Sequence, residues 1–198
     1  MPKPYNPNDK WARKAKDEGF RARSIYKLQE LDDKLHLLKP GMTVLDLGAA
    51  PGSWLQYVSG KIGDKGIAIG IDLQKIEHIA PNVQTVEQDM LDIEAVEKMV
   101  RTLTSTPAID LLLSDAAPNT SGIRDVDQWR SIELNQSALA VGKRLLKPGG
   151  RCVLKVFQGA DFDAFMKDVR REWKEVQIIK AKTSRDRSME VYVITRKP

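Results

Sequence analysis

Apolar positions along this chain recur in two rhythms. Short continuous runs at residues 43–47, 66–71, 83–86, 109–113, 152–157, 176–179 and 190–194 predict β-strands. Between them apolar residues return at helical spacing: Ile25, Leu28, Leu31 and Leu35, then residues 54–58, then Ile93, Val96, Val100 and Leu103. Ile132, Leu134, Ala138, Val141 and Leu145 mark a long helix, and residues 162–169 another. Strands alternating with helices predict an α/β fold, a mostly parallel seven-stranded Rossmann-like sheet with helices on both faces. No helical pattern separates the last two strands, so they form a hairpin and one strand runs antiparallel. Residues 9–18 read as a basic helix stopped at Gly19, with Ser24 as the N-cap of the next. Lys147-Pro148-Gly149-Gly150 reads as the stop after the long helix. The expected organisation is one domain over residues 36–198 behind a basic extension over residues 1–35.

The first strand breaks at Gly48-Ala49-Ala50-Pro51-Gly52 before a helix begins near Trp54. A strand, a small-residue turn and a helix bring backbone N–H groups close to a ligand. The second strand ends in Asp72, an acid placed to accept the hydroxyls of a ribose. A dinucleotide site would carry three glycines to admit a pyrophosphate at the helix N-terminus. Here only Gly48 and Gly52 are present, and Pro51 offers no N–H. S-adenosylmethionine has no pyrophosphate, so the turn reads as a methyl-donor site.

Composition narrows the class. One cysteine, Cys152, permits no internal disulfide, and with only His36 and His78 there is no zinc-ligand spacing. No apolar run approaches the roughly 18 residues of a membrane helix, and the chain reads as cytoplasmic. The net charge of +5 resides entirely in residues 1–27, where eight Lys and Arg face three acidic residues. A basic arm on a neutral domain is the footprint of a polyanion partner.

Four charged residues interrupt apolar patterns. Asp115 ends the fourth strand, at the carboxyl edge where open α/β sheets bind ligands. Lys155 lies between Leu154 and Val156 inside a strand, where burial is costly unless the charge is paired. Glu190 opens the last strand, and Lys27 precedes Leu28 on the second helix. Each taken alone is compatible with a snorkelling or edge residue.

Five segments change that reading. Residues 21–28, Leu45-Asp46-Leu47-Gly48-Ala49-Ala50-Pro51-Gly52, residues 114–122, Leu154-Lys155-Val156-Phe157-Gln158-Gly159 and residues 184–192 resemble, in order, the FtsJ/RrmJ family of RNA 2′-O-ribose methyltransferases. The resemblance runs from about residue 10 to the C-terminus; it departs at Ser53, where the family usually has Gly. It implies a class I methyltransferase fold and a catalytic set of Lys27, Asp115, Lys155 and Glu190. It implies S-adenosylmethionine contacts at Gly52, Trp54, Asp72, Asp89 and Asp115, with Asp89 able to accept the adenine amine. No metal is called for.

The expected reaction is methylation of a ribose 2′-OH in large-subunit ribosomal RNA, at a uridine of the peptidyl-transferase region. The expected partner is ribosomal RNA or the large subunit, not DNA or a membrane, and the chain is expected to be a monomer. Arg13, Lys14, Lys16, Arg21 and Arg23, with Arg185 and Arg187 across the cleft, are the expected RNA contacts. The alternatives are a tRNA anticodon loop, a capped mRNA, a catalytically silent RNA-binding module, and a nicotinamide-dependent oxidoreductase, which the missing third glycine disfavours. Asp115-Ala116-Ala117-Pro118 departs from the Pro-Pro-aromatic motif of base-amino methyltransferases, which favours oxygen as the acceptor.

Overall fold

The computed structural model describes residues 10–104, 108–118, 121–184 and 188–198. Helices α1 (Lys10–Asp17) and α2 (Ile25–Leu35) precede the sheet. Its strands are β1 (Thr43–Leu47), β2 (Ile67–Asp72), β3 (Val83–Glu87), β4 (Ile109–Ser114), β5 (Leu146–Phe157), β6 (Lys174–Ile179) and β7 (Glu190–Arg196). Helix α3 (Ser53–Ile62) follows β1, α4 (Ile93–Leu103) follows β3, α5 (Arg124–Leu145) follows β4, and α6 (Phe162–Glu172) follows β5. The strand order is β3-β2-β1-β4-β5-β7-β6. The pairs among β1 to β5 are parallel, and β7 is antiparallel to both neighbours. The α/β, seven-stranded expectation with a single reversed strand is borne out. The reversal brings the first residue of β7, not the last, to the carboxyl edge of the parallel strands.

Side chains alternate between two packing layers. Leu45, Leu47, Leu112, Leu154, Val156, Val191 and Val193 share a core with α4, α5 and α6. Val44, Leu111, Leu113, Val153, Tyr192 and Ile194 pack with Leu28 and Leu31 of α2 and Trp54, Leu55, Val58 and Ile62 of α3. Counting by twos from Val44, Val153 and Tyr192 places Asp46, Lys155 and Glu190 on this second face. Helix α2 covers that face and carries Lys27. Its Ile25, Leu28 and Leu31 are fully buried, each contributing roughly 1.5–3 kcal/mol. A smaller cluster of Ala15, Ile25 and Tyr26, with Trp11 and Phe20 against it, joins α1 to α2.

Two local expectations are corrected. Helix α5 ends at Leu145, in keeping with the stop at Lys147 to Gly150, but the next strand starts at Leu146 and not at Cys152. The chain leaves the helix directly into β5, because the C-terminal segment pairs with this stretch: Gly149 N–H donates to Lys197 O at 3.1 Å and Lys197 N–H to Gly150 O at 2.8 Å. Ser24 precedes α2, but its side chain makes no capping bond. Its hydroxyl instead meets that of Ser53 at 2.9 Å, so the hydroxyl at the departure position ties the extension to the turn after β1.

Candidate active site

A cleft of about 800 Å³ opens at the carboxyl ends of the parallel strands, with Gly48, Ala50, Asp72, Asp89, Met90 and Asp115 in its wall. This is the edge at which open α/β sheets hold ligands. A smaller cavity of about 390 Å³ lies at the opposite end of the strands, against Met42, Asp110 and Lys147, and contains none of the expected site residues.

The turn after β1 is built by close approach. Gly48 has φ +71°, and a Cβ there would stand 2.6 Å from Ala116 Cβ. Only glycine fits both the conformation and the space. The N–H groups of Gly48 and Ala49 donate to Ile71 O at 2.8 and 3.2 Å, fastening the turn to the end of β2. Asp72 is locked between two backbones: Ala50 N–H donates to Oδ2 and Gln74 N–H to Oδ1, both at 2.9 Å. Asp89 Oδ1 accepts from Leu91 N–H at 2.9 Å.

Gly52 and Trp54 stand behind this wall. Gly52 is left-handed at φ +101° and opens α3. Trp54 is buried, donates from Nε1 to Ser24 O at 2.9 Å, and has its ring 6.0 Å from that of Tyr192.

Asp46 lies in the middle of this region, 1 % exposed, and neither carboxylate oxygen has a hydrogen-bond partner. Burial holds its carboxyl well above the usual carboxylate range, and the charges of Asp115 and then Asp72 push it further the same way. Three acids converge without a cation of their own for Asp46. A positively charged ligand beside it would relieve this repulsion, and S-adenosylmethionine carries a sulfonium and an ammonium.

The four charged interruptions come together as two ion pairs. Lys155 Nζ lies 3.2 Å from Asp115 Oδ1 and donates to the Asp115 carbonyl. Tyr192 O–H donates to the same Oδ1 at 2.8 Å. Lys27 Nζ lies 2.6 Å from Glu190 Oε1, which also accepts from Ser184 O–H at 2.9 Å. In the β5–β7 ladder Lys155 stands opposite Tyr192 and Phe157 opposite Glu190, so Lys155 and Glu190 are diagonal neighbours. Lys155 and Glu190 are each 7 % exposed. Burial, followed by the charges of Asp115 and Glu190, pushes the Tyr192 hydroxyl far up, so it remains a donor at physiological pH.

The basic residues divide. Arg13, Lys14 and Lys16 project from α1 and are exposed. Lys14 pairs with Glu18 at 3.7 Å and lies over the rings of Trp11 and Tyr26. The Arg21 guanidinium donates to the carbonyls of Pro51, Glu77 and His78 at 3.0, 2.9 and 2.8 Å, clamping the extension to two loops of the domain. Arg23 Nη2 reaches Thr183 O at 3.4 Å. Arg185 and Arg187 lie outside the described residues.

Asp46 and Tyr192 are further site residues outside the expected set. Asp46 carries the signal that marks Lys155, a charge flanked by Leu45 and Leu47 in a strand. Tyr192 carries none, because a tyrosine among valines is ordinary strand composition.

Comparison with known proteins finds methyltransferases. Residues 20–198 match the model of the FtsJ-like methyltransferase family. The ribosomal RNA large subunit methyltransferase E of Methanothrix thermoacetophila is 46 % identical over 189 residues, covering 96 % of this chain and 72 % of that protein. The protein of the same name from Syntrophobacter fumaroxidans is 44 % identical over 191 residues, covering 96 % and 95 %. A crystal structure described as a ribosomal RNA methyltransferase from Plasmodium falciparum superposes with a TM-score of 0.80 at 28 % identity, over 90 % of this chain and 98 % of that one. With a family model matched over most of its length and a cleft, turn and paired charges to go with it, this chain belongs to the FtsJ-like methyltransferase family.

Proposed function

We propose that this chain transfers a methyl group from S-adenosylmethionine to a ribose 2′-hydroxyl of large-subunit ribosomal RNA, at a uridine of the peptidyl-transferase region. The relatives named above support the RNA class. The observation that carries the chemistry is Lys155, buried at the carboxyl edge and bonded to Asp115, which also lines the cleft.

S-adenosylmethionine, when bound, supplies a methyl group already activated on its sulfonium. Asp72 is placed to hold ribose hydroxyls: its oxygens each accept one backbone N–H and keep further lone-pair capacity. Asp89 offers a carboxylate to the adenine amine. Asp115 offers negative charge to the cationic end, and so does Asp46 once the ligand's positive charge draws off its proton. Gly52 and Trp54 contribute through the shape of the turn.

The chain must then orient a weak nucleophile and take up one proton. Lys155 is the group placed at the 2′-hydroxyl, as the base that takes its proton or as the cation that steers it and stabilises the charge developing on its oxygen. Asp115 and Tyr192 fix Nζ in place. The Lys27–Glu190 pair adds a cation and an anion beside it to hold the ribose. The acting form in this proposal is a monomer.

The basic extension, residues 1–35, is the proposed RNA-binding part. Arg13, Lys14 and Lys16 are its phosphate contacts, joined by Arg23 and, on the sequence alone, by Arg185 and Arg187. Arg21 acts structurally, through its three carbonyls. The test is transfer of labelled methyl to ribosomal RNA, intact large subunits and bulk tRNA at several salt concentrations. Signal in ribosomal material that weakens steeply with salt supports the proposal. Signal confined to tRNA overturns the substrate assignment, and a flat salt dependence overturns the placement of the RNA surface.

A further inference from the structure

Strand β4 ends at Ser114, whose register partner is Leu154, while β5 runs on to Phe157. This divergence lets the chain turn at Asp115 to meet Lys155. It also leaves the Lys155 carbonyl and the Phe157 N–H facing a side from which the neighbouring strand has gone. Buried backbone groups of this kind are expensive to leave unpaired.

Helix α5 supplies the missing partners. Asn135 Nδ2 donates to Lys155 O at 2.8 Å, and Phe157 N–H donates to Ser131 Oγ at 3.1 Å. Asn135 Nδ2 is itself fixed by a second donation, to Ser131 O at 2.7 Å. Asn135 and Ser131 are 2 % and 1 % exposed, so both bonds are made away from solvent. One turn of α5 thus continues the ladder that β4 abandons. The two bonds bracket the segment that sets the height and direction of the Lys155 side chain. The same helix holds the cleft's far wall, where Ser137 O–H donates to Met90 O at 2.7 Å beside Asp89.

We propose that Asn135 and Ser131 are positioning residues for Lys155, holding the unpaired end of β5 so that Nζ stays on Asp115. The inference rests on Lys155 acting in methyl transfer. Displacement of a reacting group by about 1 Å can cost on the order of 100-fold in rate. Asn135→Leu, which keeps the volume and removes the donor, therefore lowers kcat by about 10- to 100-fold. The KM for RNA and the Kd for S-adenosylmethionine stay within about twofold, since neither side chain lines the cleft.

The test measures kcat, KM and cofactor Kd for Asn135→Leu, Ser131→Ala, Ser131→Thr, Lys155→Ala and Asn135→Leu/Lys155→Ala, with amide hydrogen exchange at Phe157. Ser131→Ala speeds exchange at Phe157 and lowers kcat; Ser131→Thr, which keeps a hydroxyl, restores both. In the Lys155→Ala background Asn135→Leu causes no further loss. Equal losses from Asn135→Leu in both backgrounds overturn the proposal, because the residue would then act otherwise than through Lys155. A kcat loss matched by a loss of cofactor affinity overturns it as well. Should Asn135→Leu not fold, the Ser131 pair decides by the same criteria. Wild-type turnover by Lys155→Ala would sink the functional reading of Lys155, whereas inactive Lys155→Ala beside fully active Asn135→Leu sinks the positioning role alone.

Discussion

The Lys27–Glu190 pair ties the N-terminal helices to the last strand, and cutting it from one side costs more than removing it whole. Its atoms are 2.6 Å apart and the two side chains are only 11 % and 10 % exposed. An exposed pair contributes about 0–1 kcal/mol, but here solvent cannot screen the charges or take over a charge left behind. Losing one partner of a buried pair costs roughly 3–5 kcal/mol. Ser184 still donates to Glu190 after Lys27→Met, so the loss falls near the lower end, about 3 kcal/mol. For a chain of this size that lowers Tm by about 6–12 °C. Lys27→Met/Glu190→Gln leaves no bare charge and recovers most of the loss. Urea unfolding of the parent, Lys27→Met, Glu190→Gln and the double variant, followed by tryptophan fluorescence, gives the four free energies of the cycle. Additive single losses would refute this reading of the pair, as would a change below about 0.5 kcal/mol for Lys27→Met, the surface-substitution range.

Asp46→Asn tests the orphaned carboxylate by pH. An unfolded Asp titrates near about 3.9; because burial raises the folded value, the unfolded state loses its proton first and stability falls as pH rises above that point. The variant loses this slope, is more stable than the parent at pH 7 without cofactor, and binds S-adenosylmethionine more weakly; an unchanged slope in a pH series of melting curves counts against the assignment. Gly48→Ala places a Cβ 2.6 Å from Ala116 Cβ at φ +71° and costs about 1–3 kcal/mol with loss of cofactor binding, both read by thermal shift with and without cofactor. Lys16→Ala reduces the slope of log affinity for RNA against log salt by about 0.7–0.9, whereas Arg21→Met lowers stability and leaves that slope alone, as filter binding over a salt series would report.

The strands were legible because their apolar runs are short and separated by helical spacing, and the reversed strand because no helix fits between residues 179 and 190. The end of α5 was legible at Lys147 to Gly150, but the start of β5 at Leu146 was not, since the turn chemistry is local while the pairing with Lys197 is not. Asp115, Lys155 and Glu190 stood out as charges where apolar residues belong, and two-residue periodicity puts Lys155 and Glu190 on the face that α2 covers. Asp46 bore the same mark. Arg21 shows the limit of charge reading: its partners, at residues 51, 77 and 78, are distant in sequence, and a basic arm gives no hint that one of its arginines faces inward. Asn135 and Ser131 carry even less signal, because small polar residues within a helix mean little until the end of β4 is known.

The most direct measurement is the rate of labelled methyl transfer to large ribosomal subunits by the parent and by Lys155→Ala, with the product mapped by alkaline hydrolysis and cofactor Kd measured on both. The proposed mechanism predicts a methylated position resistant to alkali, as a 2′-O-methyl confers, and a rate at least about 100-fold lower in the variant with cofactor affinity nearly unchanged. Methyl groups that leave the RNA cleavable at that position, or a variant that turns over normally, would contradict it.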